Sequence, residues 1–247
     1  MVRLVSFALV LGSLSFIVSA QKSKPWTEWS KREAEKTLND SGWAQTQTET
    51  DTSSMNYQPT AVTPTTAART EDKNIAKAGQ TESGATNAPM SIKYHVRLLS
   101  AKPVREAFAR MVLLGHDKPN EELATQLQAF VDRDFGEYIV VAVAVEGTDR
   151  RFLGPAAQTF VSATADQLKN SVYLERKDGK RVFLMEYRAP TNDGMGAKFI
   201  FPRMSDGHPF LANDNENVRF AAEMSQKVKL NVKYKTSEMM YEGKLEY

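Results

Sequence analysis

Ser171-Val-Tyr-Leu-Glu-Arg-Lys177, then Asp178-Gly179, then Lys180-Arg-Val-Phe-Leu-Met-Glu-Tyr187 is the passage on which the fold class turns. Two runs rich in valine, tyrosine, leucine and phenylalanine flank an Asp-Gly pair, whose residues tolerate the positive φ of a tight reversal. The passage therefore predicts an antiparallel β-hairpin. Upstream, Tyr138 to Val145 is an unbroken apolar run rich in valine, the pattern of a strand buried on both faces. Ser91 to Leu99 alternates, with Ile92, Tyr94, Val96 and Leu98 on one face and His95 turned to solvent on the other. Ala197 to Phe201, Asn217 to Met224 and Lys227 to Lys235 read as further strands, with Met240 to Leu245 closing the sheet. Helical spacing appears twice between Leu99 and Tyr138. Lys102-Pro103 opens a helix carrying Val104, Ala107, Phe108 and Met111 to Gly115, and a second runs from about Asn120 to Phe135. The class predicted is α+β: an antiparallel sheet of about six or seven strands with a helix pair on one face, preceded by a short helix and a disordered linker. The alternative is a β-sandwich with the helices inserted.

The beginning of the chain carries an address. Met1-Val2-Arg3 gives a positive start, Leu4 to Val18 an apolar run, and Val18-Ser19-Ala20 a small-residue cleavage site, so residues 1–20 read as a signal peptide. The run is shorter than the ~20 residues that cross a bilayer, and no later stretch reaches that length. An exported chain, periplasmic or secreted, is expected, with no transmembrane span after signal cleavage. Cysteine is absent, which excludes a thiol nucleophile, a thiolate metal site and a disulfide. The 32 basic residues nearly balance the 30 acidic ones, so no basic field points to a nucleic-acid partner.

Residues 21–44 hold every tryptophan of the chain. Ser30 and Glu33 have the spacing of a capping box, with Ala34 and Leu38 following on one helix face. Trp26, Trp29, Leu38 and Trp43 are the candidate partner-binding residues, for a protein or envelope partner reached through residues 25–44. Docking onto the chain's own domain competes with that reading. Residues 45–89 are dominated by Thr, Ser, Ala and Gln, too poor in apolar side chains to offset chain entropy, and read as a disordered linker. Residues 90–247 form the expected α+β globular domain.

Pro25-Trp-Thr-Glu-Trp-Ser30 and Leu38-Asn-Asp-Ser-Gly-Trp43-Ala44 resemble the opening of a family of uncharacterised exported proteins of soil bacteria with an N-terminal tryptophan-rich segment. Asp193-Gly-Met-Gly-Ala-Lys-Phe199 and Tyr234-Lys-Thr-Ser-Glu-Met-Met-Tyr241 resemble later segments of the same family. The resemblance implies export and no known activity, so no functional residue is carried over from it.

Motifs with chemistry are sparse. His95, His116 and His208 lack the spacing of metal ligands on one helix face, and neither a Gly-x-Ser-x-Gly elbow nor a phosphate loop is present. No cofactor or metal is therefore expected. The weak catalytic candidates are Asp193 in a glycine-rich turn, with Asp206 and His208 in Ser205-Asp206-Gly207-His208-Pro209. Arg150 and Arg151, with Arg176, Lys177, Lys180 and Arg181 around the hairpin, suit either an anionic-ligand edge or protection of strand ends from aggregation. These features favour a non-enzymatic binding or envelope-associated module. A secreted hydrolase using the 193–208 loops and a carrier of a small apolar ligand are the alternatives.

Overall fold

The computed structural model describes residues 24–51, 90–147, 149–214 and 216–247; the expected signal peptide and residues 52–89 of the expected linker lie outside them. The α+β class holds. The hairpin forms as β4 (Val172–Arg176) and β5 (Arg181–Phe183), paired from Tyr173↔Phe183 to Glu175↔Arg181. Its reversal is a three-residue loop: the Arg176 N–H donates to the Lys180 carbonyl at 2.9 Å, the Gly179 N–H donates to the Arg176 carbonyl at 3.0 Å, and Gly179 takes φ +83°.

The expected second arm of the hairpin does not stay in one sheet. Leu184 still donates its N–H to Val172, but the Met185 N–H goes to Ile200. Residues Glu186–Arg188 then pair, as β6, with β7 (Ala197–Pro202). One extended stretch thus leaves one sheet and joins another. The strands accordingly divide into two antiparallel sheets rather than one. A five-stranded sheet has the order β1-β2-β3-β7-β6, with β1 (Ala44–Asp51), β2 (Met90–Leu98) and β3 (Tyr138–Gly147). A four-stranded sheet has the order β11-β10-β4-β5, with β10 (Asn217–Glu223) and β11 (Lys229–Lys235). Between them come a short hairpin of β8 (Met204–Ser205) and β9 (His208–Pro209), and after them another of β12 (Met240–Tyr241) and β13 (Lys244–Leu245).

The core lies between the sheets. Phe199 and Phe201 of β7 meet Phe220 of β10 with ring centroids 5.4 and 6.2 Å apart, and all three are fully buried. Burying each such ring stabilises the fold by about 1.5–3 kcal/mol relative to exposure. Tyr234 of β11 donates its hydroxyl across the gap to the Val96 carbonyl of β2 at 3.0 Å. The outer face of the five-stranded sheet carries the helix pair α2 (Lys102–Leu114) and α3 (Glu121–Val131), with Phe130 packed on Leu99, Val140, Ala142 and Ile200. The second helix ends at Val131 rather than Phe135.

Two expectations are corrected at the N-terminal side. Residues 45–51 are not linker: they form β1, in unbroken register with β2 from Ala44↔Arg97 to Asp51↔Met90. The tryptophan-bearing segment is not separate from the domain either. The capping box forms as expected, with Ser30 N–H to Glu33 at 2.6 Å and Glu33 N–H to Ser30 at 3.2 Å, and opens α1 (Lys31–Asn39). Ala34 and Leu38 then sink into the main core. Trp26 is wedged against Ala109, Leu127 and Val131 of the helix pair, leaving 9% of its surface exposed. Trp43 donates its indole N–H to the Glu246 carbonyl at 2.8 Å, and Arg110 donates to the Trp29 carbonyl at 2.5 Å. Docking onto the chain's own domain is the arrangement found. Trp26 and Leu38 are buried, and Trp29 and Trp43 pack partly buried against the core.

A further helix, α4 (Arg150–Ser162), is followed by the single turn α5 (Ala165–Leu168). No helix is predicted over these residues from the sequence, and Gly154-Pro155 falls inside the observed one. Pro155 lies inside the helix, where it forgoes the bond its N–H would make to the Arg151 carbonyl, and Asp149 caps the helix start by accepting the Arg151 N–H at 2.9 Å.

Candidate functional site

Helix α4 packs against β3 and β2. Its buried Phe160 packs on Tyr94 of β2, with centroids 6.2 Å apart, and Tyr187 of β6 donates its hydroxyl to the Phe160 carbonyl at 2.5 Å. Pro155, Ala156 and Thr159 of the same helix line a cavity of about 540 Å³. Its opposite wall is the β10–β11 connection, where Ser225 Oγ accepts the Val228 N–H at 3.1 Å and holds Val228 inward. The floor is Ile92 and Tyr94, continuous with the inter-sheet core.

Polar groups are few and placed at the rim. Tyr94 donates its hydroxyl to Glu49 of β1 at 3.2 Å, and burial followed by the Glu49 charge pushes the phenol well above its ordinary value. Tyr94 therefore stays a neutral hydrogen-bonding group at any physiological pH. Lys227 and Arg151 stand at the same mouth, the latter ion-paired to Asp149 at 2.7 Å. An apolar floor with a small number of fixed polar groups is the general form of a small-molecule site.

The weak catalytic candidates lie elsewhere and apart. Asp193, in the β6–β7 connection, accepts from Lys198 Nζ at 2.5 Å and from the Met195 N–H at 2.9 Å. Burial raises its carboxyl, and these bonds outweigh that effect and hold it below the usual carboxylate value. Asp206 is at the tip of the β8–β9 hairpin, in the left-handed region at φ +54°, and pairs with Lys180 at 2.6 Å. That bond lowers its carboxyl as well. His208 is exposed on β9 beside it. Asp193 and Asp206 are each committed to a different lysine, Lys198 on β7 and Lys180 in the β4–β5 turn. The basic residues of the hairpin are committed likewise: Arg176 to Asp178, Lys177 to Glu216, Lys180 to Asp206 and Arg181 to Glu175.

His95 is a correction. It is 8% exposed, not turned to solvent, because β1 and α1 cover the face it occupies. Its Nδ1 is 3.0 Å from Thr46 Oγ1, and its Nε2 is 2.8 Å from Glu146 Oε2. With both ring nitrogens engaged inside the fold, the imidazole ties β1, β2 and β3 together and has no free nitrogen for a substrate. Among the described residues there is no group of three or more His, Cys, Asp or Glu side chains that could hold a metal ion, and no helix is long and apolar enough to cross a membrane.

No family model, curated protein or solved structure matches the chain. Sequence reading found Ile92 and Tyr94 as one strand face but missed Glu49, in a stretch read as linker, and the whole of α4. The signal for α4 was present: Asp149 as a cap, then Leu153, Ala156 and Phe160 at helical spacing.

Proposed function

We propose that the chain is an exported, non-enzymatic domain that binds a small, largely apolar molecule in the cavity between α4, β2 and the β10–β11 connection. The observation that carries this reading is the 540 Å³ cavity itself, opening onto the inter-sheet core at Ile92 and Tyr94 and within the usual size range of small-molecule sites. The signal-like residues 1–20 and the resemblance to exported bacterial proteins support the location. The burial of Trp26 and Leu38 turns the reading away from a tryptophan-mediated partner and towards the carrier alternative.

Anilinonaphthalene sulfonate, which fluoresces in apolar sites, is a suitable probe. Wild-type protein is expected to bind it saturably, with one site per chain. Thr159→Trp fills the mouth from an already half-exposed position and should weaken binding by about tenfold while leaving the melting temperature near that of wild type. Unchanged binding in Thr159→Trp, or no saturable binding by wild type, refutes the reading.

A further inference from the structure

A second cavity, of about 320 Å³, lies on the other side of the five-stranded sheet, between the start of α2, the 132–136 loop and the C-terminal residues. Three arginines line it. Arg105 is 5% exposed, and its guanidinium is pinned by main-chain carbonyls: Nε donates to Val131 at 3.0 Å, and one terminal nitrogen donates to Leu99 at 3.2 Å and to Ser100. Arg203 is fixed by the Tyr138 carbonyl, at 3.2 Å, and by a main-chain oxygen of Tyr247, and stacks 4.4 Å from the Tyr247 ring centroid. Arg133 and Arg105 both stand over the Phe135 ring, at 5.3 and 5.0 Å. Carbonyls and rings fix the direction of these groups but leave their charge in place.

Among the described residues no Asp or Glu side chain hydrogen-bonds these guanidinium groups, and no ion pair joins Arg105, Arg133 or Arg203 to one. Three carboxylates share the cavity wall, but each is held by another donor. Asp132 takes Lys102 at 3.8 Å and Gln128 at 2.7 Å, Asp134 takes the Gly136 N–H at 2.7 Å, and Glu246 takes the Lys102 N–H at 2.8 Å. Burial, with Arg203 adding to it, pulls Arg105 below the ordinary guanidinium value, while Glu246, Glu106 and Asp132 act in the opposite sense from a distance. Arg203 Nε is the one buried side-chain nitrogen or oxygen without a hydrogen-bond partner among the described residues. Three guanidinium groups directed at one cavity without a hydrogen-bonded carboxylate side chain between them leave donors for an added oxyanion.

We propose that this cavity is an oxyanion site, in which Arg105, Arg133 and Arg203 receive a phosphate-type or carboxylate group of a small ligand. Planar guanidinium forks match both geometries, so the oxyanion is the shared chemistry. The site is distinct from the apolar cavity beside α4 and does not depend on it.

Calorimetric titration at fixed ionic strength tests the proposal, with inorganic phosphate in one arm and succinate in the other, and chloride as the non-specific reference. At least one of the two oxyanions should bind saturably, one per chain, and the arm that binds identifies the geometry. Arg133 is exposed, so Arg133→Gln is expected to fold normally and to weaken that binding by about tenfold. Arg32→Gln, at an exposed arginine of α1, should leave it unchanged. Failure of both oxyanions to saturate overturns the proposal. So does equal affinity in wild type and Arg133→Gln, or equal weakening in Arg32→Gln.

Discussion

The two long edges of the sandwich are closed in different ways. On one side the closure is the chain itself: residues 181–188 pair with β4 as far as Leu184 and with β7 from Met185 onward, so a single stretch of backbone belongs to both sheets. On the other side the edge strands β1 and β11 are joined by one side chain. Gln47 donates its amide to the Lys229 carbonyl at 2.8 Å and accepts the Asn231 N–H at 2.9 Å, acting as a one-residue substitute for a paired strand. The first seam cannot part without unfolding a strand. The second is two neutral hydrogen bonds, each contributing about 1 kcal/mol net. The candidate ligand cavity is lined by Glu49 and Thr50, on the same strand as Gln47, so it lies by the weaker seam. A sandwich closed covalently on one side and by an amide on the other has a built-in preference for where it opens.

The strong seam should respond most. Leu184 sits at the crossing point, 6% exposed and within the main core. Leu184→Ala is expected to destabilise the fold by about 2–4 kcal/mol, the usual range for removing a buried leucine side chain. Urea unfolding of the variant beside wild type measures it. A loss under about 1 kcal/mol would mean that the crossing carries little of the core's stability.

The weak seam should respond less, and locally. Gln47→Ala leaves the Asn231 N–H and the Lys229 carbonyl to water, so a loss of about 1 kcal/mol is expected. Amide hydrogen exchange sharpens the comparison. Exchange at Asn231 should rise about fivefold, while Leu184 and Met185 at the opposite seam keep wild-type protection. Equal acceleration at both seams would show that they open together.

These seams also mark where the sequence stops being legible. The Asp178-Gly179 reversal, the valine-rich β3 and the Ser30–Glu33 cap are written in adjacent residues, and each forms where expected. Strand β1 is written as Ala44-Gln-Thr-Gln-Thr-Glu-Thr-Asp51, with no large apolar side chain. It is a strand because β2 offers a complete ladder and because Gln47 and Thr46 find partners 182 and 49 residues away. No local pattern encodes such pairings. The division into two sheets was hidden for the same reason, since residues 181–187 read as one extended run with no breaker, while the backbone partner changes from Val172 at Leu184 to Ile200 at Met185. Both cavities are assembled from separated stretches, 49–50, 92–94, 151–159 and 225–228 for one, 100–105, 132–136, 203 and 246 for the other. Their residues carry no motif because no two stretches needed to be near in sequence.

The smallest effect belongs to the tie that holds β1 to the sheet from its outer face. Glu146 accepts from His95, whose other nitrogen meets Thr46 of β1. The His95 hydrogen bond, more than any other contact, holds the Glu146 carboxyl below its usual value, with its charge, Lys93 and Arg97 adding to it against partial burial. A carboxyl lowered on folding contributes stability that is present above its unfolded pKa, about 4.3, and lost as pH falls through its folded value. Glu146→Gln should therefore melt below wild type at neutral pH, and the two should converge in acid once Glu146 is protonated in both states. Because the Glu146 side chain is 64% exposed, solvent screening keeps the difference small, at most about 3 °C for a pair worth under 1 kcal/mol. Melting temperatures of both proteins from neutral pH down to about pH 3 give the curve. A gap that persists unchanged in acid would assign the effect of the substitution to packing and remove the His95–Glu146 tie from the account of how β1 is held.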